Sequence, residues 1–180
     1  MKKIICSLLC LATTVLLLAS CNVYGQRKVA DKDYMAARRE AISLRRPDGS
    51  DEYTVFAAMV DMDMGDHVET LVCYADGTVH LYLSTGEACK DLQNTNPDLS
   101  AAARDLLRGL GDRLDNTLWQ SKTDVALPEA GRDLIYLCSD KGIHTLTLIP
   151  AHISDAPEAS QEIHTLYRAL DDAAKGGITT

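Results

Sequence analysis

Asp76-Gly77 stands between two β-rich runs, Val68 to Tyr74 and Thr78 to Leu83, and restricts the possible folds more than any other feature of the chain. An Asp-Gly pair in this setting predicts a two-residue type I′ turn, with positive φ at both central residues. The two runs must then be antiparallel neighbours. In the second run Val79, Leu81 and Leu83 alternate with His80 and Tyr82, so one face is buried and the other at least partly wet. Upstream, Tyr53 to Met62 is apolar and β-rich and joins the pair through a turn around Gly65. A second hairpin runs from Asp133 to Ser139 and from Ile143 to Ile149, turned through Asp140-Lys141-Gly142 with the glycine at the positive-φ site.

Three helical patterns frame these five strands. Asp31 can cap a helix reaching Arg46, in which Tyr34, Ala37, Ala41 and Leu44 recur at helical spacing before Pro47-Asp48-Gly49 stops it. Its many charges make it a surface helix with a narrow apolar stripe. Asn96-Pro97-Asp98 opens a second helix, with Asn as cap, Pro suited to the first turn and Asp complementing the dipole. Leu99, Ala103, Leu106, Leu107, Leu110 and Leu114 form its apolar side. The only tryptophan, Trp119, ends this segment and reads as a core plug, and a loop follows at Leu127-Pro128-Glu129-Ala130-Gly131. A third helix runs from about Pro157 to Ala174, capped by Asp155 and ended at Gly176-Gly177, with Ile163, Leu166, Tyr167 and Leu170 on its inner side.

The order αβββαββα, with tight hairpins and segregated helices, predicts an α+β domain over residues 31–176. Its expected architecture is a single five-stranded, mainly antiparallel sheet with helices packed mainly on one face. This element order resembles the fold of type III secretion chaperones, with profilin-like and roadblock-like domains as alternatives. The residues carry a second resemblance. Asp61-Met62-Asp63-Met64-Gly65, Thr70-Leu71-Val72, Ala75-Asp76-Gly77-Thr78 and Leu81-Tyr82-Leu83-Ser84-Thr85-Gly86 resemble a recurrent core of small uncharacterised bacterial proteins. That core continues into a glycine-rich stretch, which here is Glu87-Ala88-Cys89-Lys90-Asp91. The resemblance implies no activity.

The chain begins Met1-Lys2-Lys3, followed by an apolar run from Ile4 to Ala19 broken only by Ser7, Thr13 and Thr14. A basic start, an apolar stretch and small residues before a cut mark a secretory signal over residues 1–20. A spanning helix needs about 20 apolar residues and different flanks. Leu18-Ala19-Ser20-Cys21 resembles the bacterial lipobox. That resemblance implies cleavage before Cys21 and attachment of a diacylglycerol to its thiol, with acylation of the new amine. Two or more acyl chains anchor stably, since each buried methylene contributes about 0.8 kcal/mol. Residues 22–30 then read as a tether. Asn22 is not the aspartate that tends to hold enterobacterial lipoproteins at the inner membrane, and no acid precedes Asp31. The expected address is the cell envelope, facing the periplasm, at the outer membrane of a Gram-negative cell.

Loss of residues 1–20 removes two lysines and no acids, leaving 16 basic and 26 acidic side chains, net −10. Nucleic acid and anionic headgroups need a basic face, so neither is the expected partner. Three cysteines then accompany Cys21, namely Cys73, Cys89 and Cys138. At most one bridge can form among them, and strand positions suit Cys73 and Cys138 as small core hydrophobes.

Signals for chemistry are sparse. Asp61-x-Asp63-x-Gly65-Asp66, with Glu69 beyond, has part of a calcium-loop pattern, but Met64 occupies the place of a third ligand. A solvated hairpin end accounts better for these acids. His67, His80, His144, His152 and His164 belong to five separate elements, without a zinc-type pair spacing. Gly109-Leu110-Gly111-Asp112 lies within a helix pattern rather than a phosphate-binding turn, and neither a nucleophile elbow nor a P-loop occurs. No catalytic, metal-binding or cofactor-binding residue is assigned. The favoured function is a lipid-anchored module that binds a protein partner, with Tyr74, His80 and Tyr82 marking the docking face if it is exposed. The alternative is a small envelope hydrolase or transferase whose site convergence is invisible in sequence.

Overall fold

A computed structural model describes residues 30–43, 46, 48, 49, 51–114, 120, 121 and 126–176. The signal segment, Cys21, the tether up to residue 29, Leu44, Pro47, Trp119 and Gly177 lie outside the described residues. Seven strands form one antiparallel sheet: β1 (Val55–Asp63), β2 (Val68–Tyr74), β3 (Val79–Leu83), β4 (Ala88–Cys89), β5 (Gln120–Ser121), β6 (Asp133–Ser139) and β7 (Gly142–Leu148). Three helices accompany it, α1 (Lys32–Ala41), α2 (Asp98–Gly111) and α3 (Glu158–Gly176). The strand order is β4-β3-β2-β1-β6-β7-β5.

The α+β expectation holds, and the five-stranded sheet is corrected. The five long strands lie near their expected ranges, but two-residue strands extend both edges, giving the order αββββαβββα. Segments this short carry no periodicity, so only pairing reveals them. β4 pairs Cys89 with Leu81 and Ala88 with Tyr82, and β5 pairs Gln120 with Thr145. Each pairs with two residues of the outer strand and so covers part of an edge that would otherwise offer free backbone groups. Short 3-10 turns at Leu92–Asn94 and Pro150–Asp155 complete the chain.

The Asp76-Gly77 hairpin exists, but its turn is not type I′. Among the described residues positive φ occurs at Asp91 and at glycines, so Asp76 stays on the ordinary side while Gly77 has φ +92°. Gly77 N–H donates to Tyr74 O, and Tyr74 N–H donates to Thr78 O. This is the longer hairpin type, a four-residue turn from Tyr74 to Gly77 whose last residue is the glycine in the left-handed region. Asp76 caps the turn by accepting from Thr78 N–H at 2.8 Å.

β1 sits at the centre, between β2 and β6, and all of its residues except Asp63 are buried. A strand covered on both sides needs layers on both sides. α2 and α3 lie side by side on one face, joined by Arg113–Glu162. Leu99, Ala103, Leu106, Leu107 and Leu110 of α2, with Ile163, Tyr167, Leu170 and Ala174 of α3, form that layer of the core. α1 lies on the opposite face, where its Arg38 meets Asp61 and its Tyr34 meets Thr70. Helices therefore favour one face two to one, and the other face is not left open.

Helix ends differ from the expectations in detail. Asp31 caps α1 by accepting from Asp33 N–H and Tyr34 N–H, as expected, but the helix stops at Ala41 rather than Arg46. Asn96 Oδ1 accepts from Asp98 N–H at the start of α2. Asp155 closes a 3-10 turn and α3 starts at Glu158. Cys73 and Cys138 are buried in the core, Cys89 is half-buried, and all three are unpaired. Burial pushes the Cys73 and Cys138 thiols up to about 12, which leaves both inert.

Candidate functional site

The least conventional chemistry lies where α3 crosses the ends of β1, β2 and β6. Alternation along the strands turns Met62, Glu69 and Asp133 toward α3. On the helix, Tyr167, Asp171 and Lys175 are spaced by four and so stand in one row facing the sheet. Asp171, Asp133 and Glu69 are only 0%, 1% and 3% exposed. Three carboxyl groups are thus withdrawn from water beneath one helix, a costly arrangement unless each is paired.

The pairing is incomplete. Tyr167 OH donates to Asp133 Oδ2 at 2.5 Å, and Asp63 N–H donates to Asp133 Oδ1 at 3.3 Å. Lys175 Nζ donates to Asp171 Oδ2 at 2.9 Å and lies 3.0 Å from Glu69 Oε1. The second contact has ion-pair distance without hydrogen-bond alignment, so Glu69 Oε1 is electrostatically compensated but has no donor. Arg168 Nη1 lies 3.5 Å from Asp171 Oδ2. Asp171 Oδ1 is buried with no hydrogen-bond partner, as is Nε2 of His164. The His164 ring stands edge-on to Tyr167 with centroids 5.2 Å apart.

Electrostatics follow from this geometry. Burial raises the Glu69 carboxyl above its ordinary value, and the adjoining Asp171 adds to the rise while Lys175 opposes it. Burial also raises Asp133, against the pull of the Tyr167 hydroxyl and Arg168. For Lys175 burial acts downward, but its hydrogen bond to Asp171 and the neighbouring Glu69 carboxylate prevail and raise it. Burial and Arg168 lower His164. The arrangement is suited to holding or releasing protons, since carboxyls raised by burial beside a like charge change state closer to neutrality.

The acids expected at a solvated hairpin end are placed differently. Asp61 is fully buried and bonded to Arg38 and Thr70. Asp63 accepts from Gly65 N–H at 3.3 Å and from Gly131 N–H at 2.5 Å. Only Asp66 stays in solvent, beside His67. Among the described residues no group of three His, Cys, Asp or Glu side chains could hold a metal ion. The five histidines stay in separate settings: His67 by Asp66, His80 accepting from Asp91 N–H, His144 at Ser139, His152 near Asp155 and His164 at Tyr167.

The expected aromatic face is mostly closed. Tyr74, His80 and Tyr82 form a ladder of edge-on rings 5.9 and 6.0 Å apart. Tyr82 is buried, while Tyr74 and His80 are half-buried. Ser139 Oγ and His144 Nε2 are 3.1 Å apart, which supplies a hydroxyl beside a base. Ser139 is buried, however, and its Oγ already accepts from Lys141 N–H within the β6–β7 turn. Among the described residues no carboxylate orients His144, so the third element of an activated nucleophile is missing.

Helical spacing carries a signal for the buried charges: Arg38 falls four residues after Tyr34, and Asp171 four after Tyr167, so each continues an apolar stripe through a charge. Compared with protein-family models, curated proteins and solved structures, the chain matches none. Among the described residues no helix is long and apolar enough to cross a membrane.

Proposed function

We propose that the protein is a lipid-anchored lipoprotein of the bacterial cell envelope, facing the periplasm, whose α+β domain binds a protein partner. The observation that carries this reading is Leu18-Ala19-Ser20-Cys21 after a basic start and an apolar run. Lipid on Cys21 supplies the membrane contact, at the outer membrane where the cell has one.

The position of the tether supports the reading. Asp31 N–H donates to Ser84 O, and Ser84 N–H donates to Val68 O. The chain thus enters the domain at the end of the sheet where β1 finishes and β2 begins. A tether of nine residues reaches at most about 30 Å when fully extended, so this end stays close to the lipid and the β2–β3 turn points outward. Both sheet faces carry helices, and a partner would meet the outer helical surfaces. One such surface is the open depression between α2 and α3, bordered by Arg113, Glu162, Thr165 and Leu166.

Affinity capture from solubilised membranes tests the reading, comparing wild type with Cys21→Ala in a lipidation-competent host. A stoichiometric protein recovered with wild type and reduced with the variant is the expected result. Recovery of no protein from either, together with turnover of an acyl or phosphoryl substrate, would favour the enzyme instead.

A further inference from the structure

We infer that the domain rests on its own bilayer through Met64 and Ile149, which enter a zwitterionic headgroup layer, a contact that depends on the proposed lipid at Cys21. Among the described residues these two are the large apolar side chains left exposed, at 40% and 43%. Apolar side chains exposed singly are ordinary on a protein surface, and the weight here lies in their position. Met64 follows Asp63, the last residue of β1, and Ile149 follows Leu148, the last residue of β7. Asp63 N–H donates to Asp133 Oδ1, and Asp133 is the register partner of Leu148. Both apolar residues therefore lie past the same end of the sheet, two strand spacings or about 10 Å apart.

The chain from Cys21 arrives at this end. Val68 is the register partner of Asp63, Ser84 N–H donates to Val68 O, and Asp31 N–H donates to Ser84 O. A lipid on Cys21 thus holds Met64 and Ile149 beside the bilayer and raises the effective concentration of headgroups around them. A contact too weak to recruit a free protein is then occupied. Little order is lost on contact, because both backbones are already fixed: Met64 N–H donates to His67 O, and Ile149 O accepts from His152 N–H.

Charge at the two ends agrees with this orientation. Near Met64 and Ile149, His67 bonds Asp66 and Arg132 pairs with Glu129, while Lys175 and Arg168 contact Asp171. Cations and acids offset each other there, which suits a zwitterionic surface and gives anionic lipid no basic patch. The opposite end exposes Asp51, Glu52, Asp76 and Asp140. Such charges stay hydrated rather than enter a headgroup layer.

Methyl NMR of the mature chain, lipidated on Cys21 and placed in phosphatidylcholine nanodiscs, tests the contact. A spin label on the lipid headgroups should broaden the Met64 and Ile149 methyl signals several-fold more than that of Ile143, at the opposite end of β7. Nearness to the anchor alone also broadens signals, so Met64 is followed in Ile149→Gln and Ile149 in Met64→Gln. Each change should reduce broadening of the other methyl several-fold, since the two shallow contacts act together. Equal broadening at all three methyls, or broadening of Met64 unchanged by Ile149→Gln, would overturn the inference. Stronger broadening with phosphatidylglycerol would give the contact to anionic lipid instead. Loss of partner capture in both variants, without broadening by lipid, would give the two residues to the protein partner. A chain recovered with no lipid on Cys21 would remove the anchored reading itself, whereas a lipidated chain without broadening removes this contact alone.

Discussion

Arg38 on the first helix and Asp61 in the central strand form an ion pair with neither side chain exposed to solvent. Arg38 Nε also donates to Asp61 Oδ1, and Nη2 reaches Ala126 O at 3.1 Å. One guanidinium thereby joins α1, the sheet and the loop before β6. Thr70 Oγ1 donates to the same carboxylate at 2.7 Å and is bonded in turn to Tyr34 OH.

Removing one partner should cost far more than removing both. Arg38→Met strands a buried carboxylate and should destabilise the domain by about 3–5 kcal/mol. Adding Asp61→Leu should recover much of that loss, since Thr70 keeps Tyr34 and Ala126 O keeps the Tyr136 hydroxyl. Urea midpoints of wild type and the two variants give the comparison. A double variant weaker than Arg38→Met would contradict this reading of the pair.

The hairpin turn supports a graded prediction. At Gly77, φ is +92° and an added Cβ would run into Ser100 Oγ and the Arg104 guanidinium. Gly131 also has positive φ, at +73°, but open space around it, and Gly176 has neither demand. Valine should cost about 1–3 kcal/mol at Gly131 through backbone strain alone, and more at Gly77. At Gly176 it should stay within about 0.5 kcal/mol. Urea midpoints that fail to rank the variants in this order would count against the turn geometry.

Tyr167→Phe keeps the ring in the α3 stripe and deletes only the hydroxyl that donates to buried Asp133. A donor lost from a buried acceptor costs about 1–3 kcal/mol. Thermal unfolding should register that loss, while Thr165→Val, at an exposed α3 hydroxyl bonded to Gln161 O, should change little. Equal effects at the two sites would remove the special standing of Asp133.

The sequence was most legible where a pattern repeats. Alternation located β3, and helical spacing located α2 with its buried Leu99, Ala103, Leu106 and Leu110. The turn at Gly77 was foreseen in place but not in type, because Asp-Gly fits both hairpin classes and strand register decides between them. Edge strands of two residues left no trace, since pairing alone defines them. Buried charge was the main blind spot. Arg38 and Asp61 read as surface residues, and only their pairing across distant segments makes burial tolerable. For the same reason the candidate site was invisible: Glu69 and Asp171 are 102 positions apart and reach the same Lys175 ammonium only through the fold.

Lipid attachment is the central claim, and metabolic labelling tests it most directly. Cells expressing the full chain are grown with radioactive palmitate, and the protein is recovered from membranes. Wild type should carry label and begin at Cys21 by mass of its N-terminal peptide, while Cys21→Ala should carry none. Label retained by Cys21→Ala, or a wild-type N-terminus elsewhere, would contradict the account.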